Sequence, residues 1–194
     1  MTGVREEKKR AARARLFAEA VRLIEAKGYD AVSAAEIAAA AGLAKGTLFN
    51  HFPTKAHFIA DWYAERSGEA LMATARAEEA DLAEALTRLA LAAVDACAPQ
   101  PEMWRAKRRE APSNAAIQAV EAQTDAAIRA RAERLVALAR EKGAVRADIN
   151  PTAFADLYTA LISGTASESA ATGESEMRPA MEDRIASLCA LARA

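Results

Sequence analysis

Residues 33–55 read Ser33-Ala-Ala-Glu36-Ile37-Ala-Ala-Ala-Ala-Gly42-Leu43-Ala44-Lys45-Gly-Thr47-Leu48-Phe49-Asn50-His51-Phe52-Pro53-Thr54-Lys55. The spacing predicts two short helices joined by a glycine-centred turn, a helix-turn-helix reading pair over 33–52. Ser33 stands three residues before Glu36, so hydroxyl and carboxylate can each satisfy a free backbone N–H of the first turn in a capping box. Ile37 with its alanine neighbours makes a thin apolar stripe that admits a close helix partner. Gly42 is expected to take the left-handed geometry that ends the first helix, with Leu43 anchoring the turn. The second helix runs from about Lys45 to Phe52 and stops at Pro53, which lacks a backbone donor and restricts the residue before it. Leu48 and Phe52, four apart, face inward. Lys45, Thr47, Asn50 and His51 are left outside, and all four can bond phosphates or base edges.

The segment Lys45-Gly-Thr-Leu-Phe-Asn-His-Phe-Pro-Thr-Lys55, with the Ser33–Leu43 stretch before it, resembles the recognition helix and turn of the tetracycline-repressor (TetR) family of bacterial transcriptional regulators. The resemblance implies an all-α fold of about nine helices. A three-helix DNA-binding domain, residues 1–55, would be joined to a larger helical domain, residues 56–194, for ligand binding and dimerisation. Two positions depart from the family pattern. Ala44 stands where a Ser or Thr usually caps the recognition helix, a loss of about 1 kcal/mol. Phe49 stands where a Tyr usually reaches a phosphate, so it can stack or pack but cannot donate that bond.

Composition agrees with the fold. Of the 194 residues 52% are hydrophobic, alanine dominates, and only 8 Gly and 6 Pro interrupt the chain, which favours helix nearly throughout. No apolar stretch approaches the roughly 20 residues of a membrane span, and the first residues lack the apolar centre of a signal peptide, so a cytoplasmic protein is expected. The net charge of −1 hides a segregation: residues 1–55 carry 10 Lys and Arg against 6 Asp and Glu, whereas residues 56–194 carry 16 against 21. A basic first third suits a phosphate backbone and an acidic remainder is repelled by it. Solvated helix faces alone would also account for such a distribution.

A first helix is expected to begin between Val4 and Arg13 and to end at Lys27–Gly28. Arg5, Lys8, Lys9, Arg10, Arg13 and Arg15 near its start make either a DNA-touching arm or a solvated, frayed helix end. Thr54 can cap a linker helix carrying Phe58, Ile59, Trp62 and Tyr63. Asp81, Asn114 and Asn150-Pro151 mark further helix starts, and Pro99-Gln-Pro101 ends the helix that Asp81 begins. Arg105, Lys107, Arg108 and Arg109 form a second basic run that either solvates a helix face or meets an anionic ligand or acidic partner.

Catalytic groups are missing. His51 and His57 are the only histidines, lack i, i+4 spacing and have Pro53 between them, so no metal site is expected. Cys97 and Cys189 show neither metal-ligand spacing nor a disulfide framework. There is no Gly-rich phosphate loop, no nucleophile beside a base, and no sign of a cofactor; the chain does not read as an enzyme.

The expected function is a ligand-responsive DNA-binding regulator, most simply a repressor, acting as a homodimer through its last two helices on a near-palindromic operator. Lys45 and Asn50 are the candidates for base edges; Thr47, His51 and Lys55 for phosphates; Ser33 for a further phosphate contact; Phe49 for packing against the DNA. By resemblance the larger domain holds a pocket for a small effector, more apolar or aromatic than anionic, with Trp62, Met103, Trp104, Phe154 and Tyr158 as candidate lining residues. The same residues suit a core. A second reading stays open: a helical dimeric binding module whose helix-turn-helix is vestigial and has no role in gene control, which Ala44 and Phe49 favour.

Overall fold

The computed structural model describes residues 2–74, 81–172 and 174–194. Among these residues it is all-α, with nine α-helices and a 3₁₀ turn at Ala111–Ser113. The helices are α1 Thr2–Lys27, α2 Ala34–Ala40, α3 Lys45–His51, α4 Ala56–Ala73, α5 Leu82–Cys97, α6 Pro101–Glu110, α7 Ala115–Glu141, α8 Pro151–Thr172 and α9 Glu174–Ala192. The first helix starts ahead of the expected window: Glu, Lys, Arg and Ala are all strong helix formers, and the basic cluster is helical rather than an extended arm.

Local chemistry sets the boundaries. Asp81 Oδ2 accepts from the Ala83 N–H at 3.1 Å, Asn114 Oδ1 from Ala116 and Ile117, and Asn150 Oδ1 from Thr152 and Ala153. Each therefore caps the helix it precedes. Gly42, at φ +65°, closes α2: its N–H donates to the Ala39 carbonyl and the Leu43 N–H to the Ala38 carbonyl, at 3.0 and 2.9 Å. That double bond is the Schellman motif, which a Cβ at Gly42 would strain.

The chain packs as two compact units, 1–65 with 97–120 and 66–96 with 121–194. The sequence division at residue 55 follows chain order. Packing groups the residues differently, because α6 joins the helix-turn-helix unit and both α4 and α7 contribute residues to each unit. In the first unit the core is built by Leu16, Ile24, Ile37, Leu48, Phe52, Phe58 and Trp62. Phe52 and Phe58 stack at 4.0 Å between ring centroids. In the second unit Leu86, Ile128, Val136, Tyr158, Met181 and Ile185 form the core, and α8 packs along α9. Tyr158 is fully buried and its hydroxyl donates to the Leu86 carbonyl at 2.7 Å. Burial raises that hydroxyl above the ordinary tyrosine value. Among the described residues no helix is long and apolar enough to cross a membrane.

Candidate nucleic-acid interface

The reading pair occupies the expected residues. Ser33 Oγ accepts from the Glu36 N–H at 3.1 Å, and the Ser33 N–H acts in return as a backbone donor to the Glu36 carboxylate. The same carboxylate takes Lys27 Nζ at 2.5 Å, and that lysine, ahead of the Ser33 N–H, holds the carboxyl below its usual range. Ala44 precedes α3 with no side-chain cap. On α3, Leu48 is fully buried while Lys45, Asn50 and Phe49, which is 40% exposed, lie on the outside, with Thr47 and His51 half-buried. Lys45 Nζ lies 5.7 Å from the Phe49 ring centroid. One helix thus separates a fully inward residue from a polar and aromatic outer surface.

What holds α3 in place is supplied from α1. Arg13 Nη1 donates to the His51 carbonyl at 2.7 Å, its Nη2 pairs with Asp61, and its guanidinium carbon lies 4.2 Å from the Phe52 ring centroid. The sequence placed Arg13 in a basic cluster at the chain start and gave no sign of this role. Burial raises the Asp61 carboxyl above its ordinary value, and Arg13 and His57 draw it back down. Burial pulls the His51 imidazole below its ordinary value, reinforced by Arg13 and Lys9. His57 is absorbed locally: its Nδ1 accepts from the Thr54 N–H at 3.2 Å and meets the Thr54 hydroxyl at 2.8 Å, closing the start of α4.

Lys55 is placed differently from the expected phosphate contact. Its Nζ donates to the Tyr29 and Val32 carbonyls at 2.5 and 3.1 Å and lies 4.0 Å from the Tyr29 ring centroid. The ammonium therefore braces the turn between α1 and α2. Burial lowers its affinity for the proton, and Asp30 and Glu110 offset part of this. The Tyr29 hydroxyl is pushed up to about 12, first by burial and then by Glu110.

The second basic run is likewise committed within the first unit. Arg109 grips Asp30 with two bonds of 2.5 and 2.8 Å, Arg105 pairs with Glu102, and Lys107, itself buried, lies over the Tyr63 and Trp104 rings at 4.3 and 5.2 Å. Glu25 of α1 accepts the Met103 N–H at 2.7 Å, so its carboxylate sits on the N-terminus of α6.

The five candidate pocket residues are not brought together. Trp62 and Met103 lie in the first unit's core with Trp104 packed against it, whereas Phe154 and Tyr158 lie in the second unit's core. Large apolar side chains at helical spacing are what a core requires, and spacing alone did not separate the two uses. Among the described residues no group of three His, Cys, Asp or Glu side chains could hold a metal ion.

Two outcomes follow from these contacts. Lys55→Met leaves two carbonyls of the α1–α2 turn without their donor and should destabilise the chain by about 1–3 kcal/mol in urea unfolding; an unchanged midpoint would show that the brace carries no weight. The His51 ring is held in its neutral form by folding. Its contribution to stability is present above the ordinary value of 6.5 and is lost as the pH falls through the lower folded value. The His51 Cε1–H resonance should accordingly titrate with a midpoint below 6.5, and a midpoint at or above it contradicts the placement.

Residues 16–61 match the family model described as bacterial regulatory proteins, tetR family. Among solved structures the chain is similar to Thermus thermophilus FadR, a TetR-family transcriptional repressor in complex with lauroyl-CoA, at 21% identity and TM-score 0.70 over 91% of this chain and 92% of that one. It is also similar to Bacillus subtilis FadR in complex with stearoyl-CoA, at 16% identity and TM-score 0.68 over 91% and 96%. A third likeness is a TetR transcription regulator from Haloarcula marismortui, at 15% identity and TM-score 0.72 over 94% and 98%. No curated protein matches. All three are transcriptional regulators. Residues 16–61 thus carry the sequence pattern of the TetR family of bacterial regulatory proteins, and the described fold is that of the solved TetR-family structures.

Proposed function

We propose that this protein is a ligand-responsive transcriptional repressor that binds a near-palindromic operator as a homodimer. The observation that carries the reading is α3 itself: Lys45, Phe49 and Asn50 exposed on a helix whose Leu48 is fully buried. DNA binding is assigned to residues 1–55, and ligand binding and dimerisation to residues 56–194. Lys45 and Asn50 would read base edges, Thr47 and His51 would meet phosphates, and Ser33 would add a contact at the start of α2. Two copies of α3 in successive major grooves stand about 34–36 Å apart. Leu157 of α8 and Leu191 of α9, 62% and 74% exposed, support an interface through the last two helices.

For the effector, the second unit offers a cleft of about 580 Å³ between α4, α5 and Arg178 of α9. Ala70, Ala73, Leu91 and Ala92 give it an apolar lining, and Arg88 and Arg178 add cationic groups. Among the described residues both arginines are held by exposed pairs, with Glu84 and Asp95. Pairs of that kind contribute little, so an incoming anion can displace them. An apolar chain with an anionic head fits this chemistry, and the acyl-CoA esters in the two FadR complexes are of that class. Release of DNA then requires that the ligand bind one of two conformations more tightly.

Selection of random duplexes with the purified full chain should enrich a two-fold motif. Asn50→Ala should relax the choice of one base by about 1–3 kcal/mol. No enrichment, with retention insensitive to salt, would support the binding module instead. Separately, lauroyl-CoA should raise the melting temperature of the wild type but not of Leu91→Trp, which fills the cleft. An equal rise in both would place the ligand elsewhere.

A further inference from the structure

We propose that Arg13 is a positioning residue for sequence reading: it sets the placement of α3 from α1 without touching the DNA. The inference rests on the reading of α3 as the base-contacting helix.

Its ground is the imbalance between the two ends of α3. The helix has seven residues, and an isolated helix of that length is not stable in water. At its N-terminus Ala44 supplies no side-chain bond. At its C-terminus the Phe52 N–H donates to the Leu48 carbonyl at 2.8 Å, and Arg13 bonds the carbonyl of His51, the last residue of α3. A cation at this end also meets the negative end of the helix dipole. The guanidinium has two more anchors. Its face lies on Phe52, which is stacked on Phe58 of α4, and its second nitrogen pairs with Asp61, also of α4. A single planar group thus ties the last turn of α3 to both helices that frame it. The rotation of Asn50 and His51 about the helix axis is set by that tie together with the burial of Leu48 and Phe52. Lysine cannot reproduce it, having a point charge in place of a planar fork.

The sequence alternative for Arg13, membership of a phosphate-touching basic arm, makes a different prediction, and so does a purely structural brace. The test uses the full chain and the duplex enriched by the wild type. Arg13→Gln and Arg13→Lys should both lose about tenfold in discrimination against a duplex mismatched at the Asn50 position. The slope of log Kd against log salt should stay that of the wild type. Asp61→Asn, which keeps the shape and removes a charge that burial already disfavours, should lower discrimination in the same direction and covers the case of an Arg13 variant that does not fold. The proposal is overturned if the slope of Arg13→Gln falls by about one phosphate with discrimination intact. It is equally overturned if the melting temperature drops while discrimination is unchanged. A wild-type chain that selects no duplex removes the DNA reading itself; one that selects a duplex while all three variants discriminate as well removes only the role of Arg13.

Discussion

A seven-residue helix has too few internal hydrogen bonds to outweigh the entropy of ordering it, so α3 exists only because Leu48 enters a core that is already built. That core is made by helices on either side in sequence: Leu16 and Ile24 of α1, Ile37 of α2, Phe58 and Trp62 of α4. The outer surface of α3 can remain polar because none of its exposed residues is needed for stability. Lys45 and Asn50 are free to be chosen for what they contact rather than for how they pack.

The first unit extends this logic to α6. Its helix-forming residues are strongly charged and bring few large apolar groups, Met103 being the one that is fully buried. Polar ties make up the difference. Glu25 caps the N-terminus of α6, Arg109 grips Asp30, and Lys107 rests on two aromatic rings. The Asp30–Tyr29–Lys55 neighbourhood is shared by α6 and the α1–α2 turn, and Lys55 bonds the carbonyls on both sides of Asp30–Ala31. Of the charges that resemble a ligand-binding patch when read along the chain, Arg109 pairs with Asp30 across 79 residues, Arg105 with Glu102 within its own helix, and Lys107 rests on aromatic rings.

That distance is also what divides the legible from the illegible. Ser33, Gly42, Asp81, Asn114 and Asn150 act on backbone groups two to five residues away, and each does in the structure what its local pattern predicts. The all-α fold, the helix-turn-helix and the inward placement of Leu48 and Phe52 were readable for the same reason. Arg13 meets its partners across 38 and 48 residues, and Glu25 bonds Met103 across 78. No local pattern marks such pairs. Glu36 shows both kinds at once: the Ser33 N–H reaches its carboxylate as the local pattern predicts, and Lys27, nine residues before it, takes the same group with no local mark. The aromatic candidates for a pocket fall into two core clusters, because helical spacing describes which face is buried, not whether that face meets protein or ligand.

The distribution of charge on the first unit separates two tasks. On α3 and the turn after it, Lys55 is committed to backbone carbonyls, and folding keeps the His51 ring toward its neutral form. Lys45 is then the one full cation on the outer surface of α3. A single charge gives a shallow salt dependence, so α3 is suited to discrimination more than to affinity. Exposed cations are concentrated instead at the start of α1, where Lys8, Lys9 and Arg10 are helical and solvent-facing. Held in a regular helix, they keep a fixed position along a backbone, which an unstructured arm would have to acquire on binding. Arg13 stands on the same helix and holds the reading helix by its last turn. A single element, α1, therefore carries both the exposed cations and the Arg13 group that bonds the last turn of α3, and under the proposed DNA reading contact with the backbone and presentation of Asn50 would share one rigid reference.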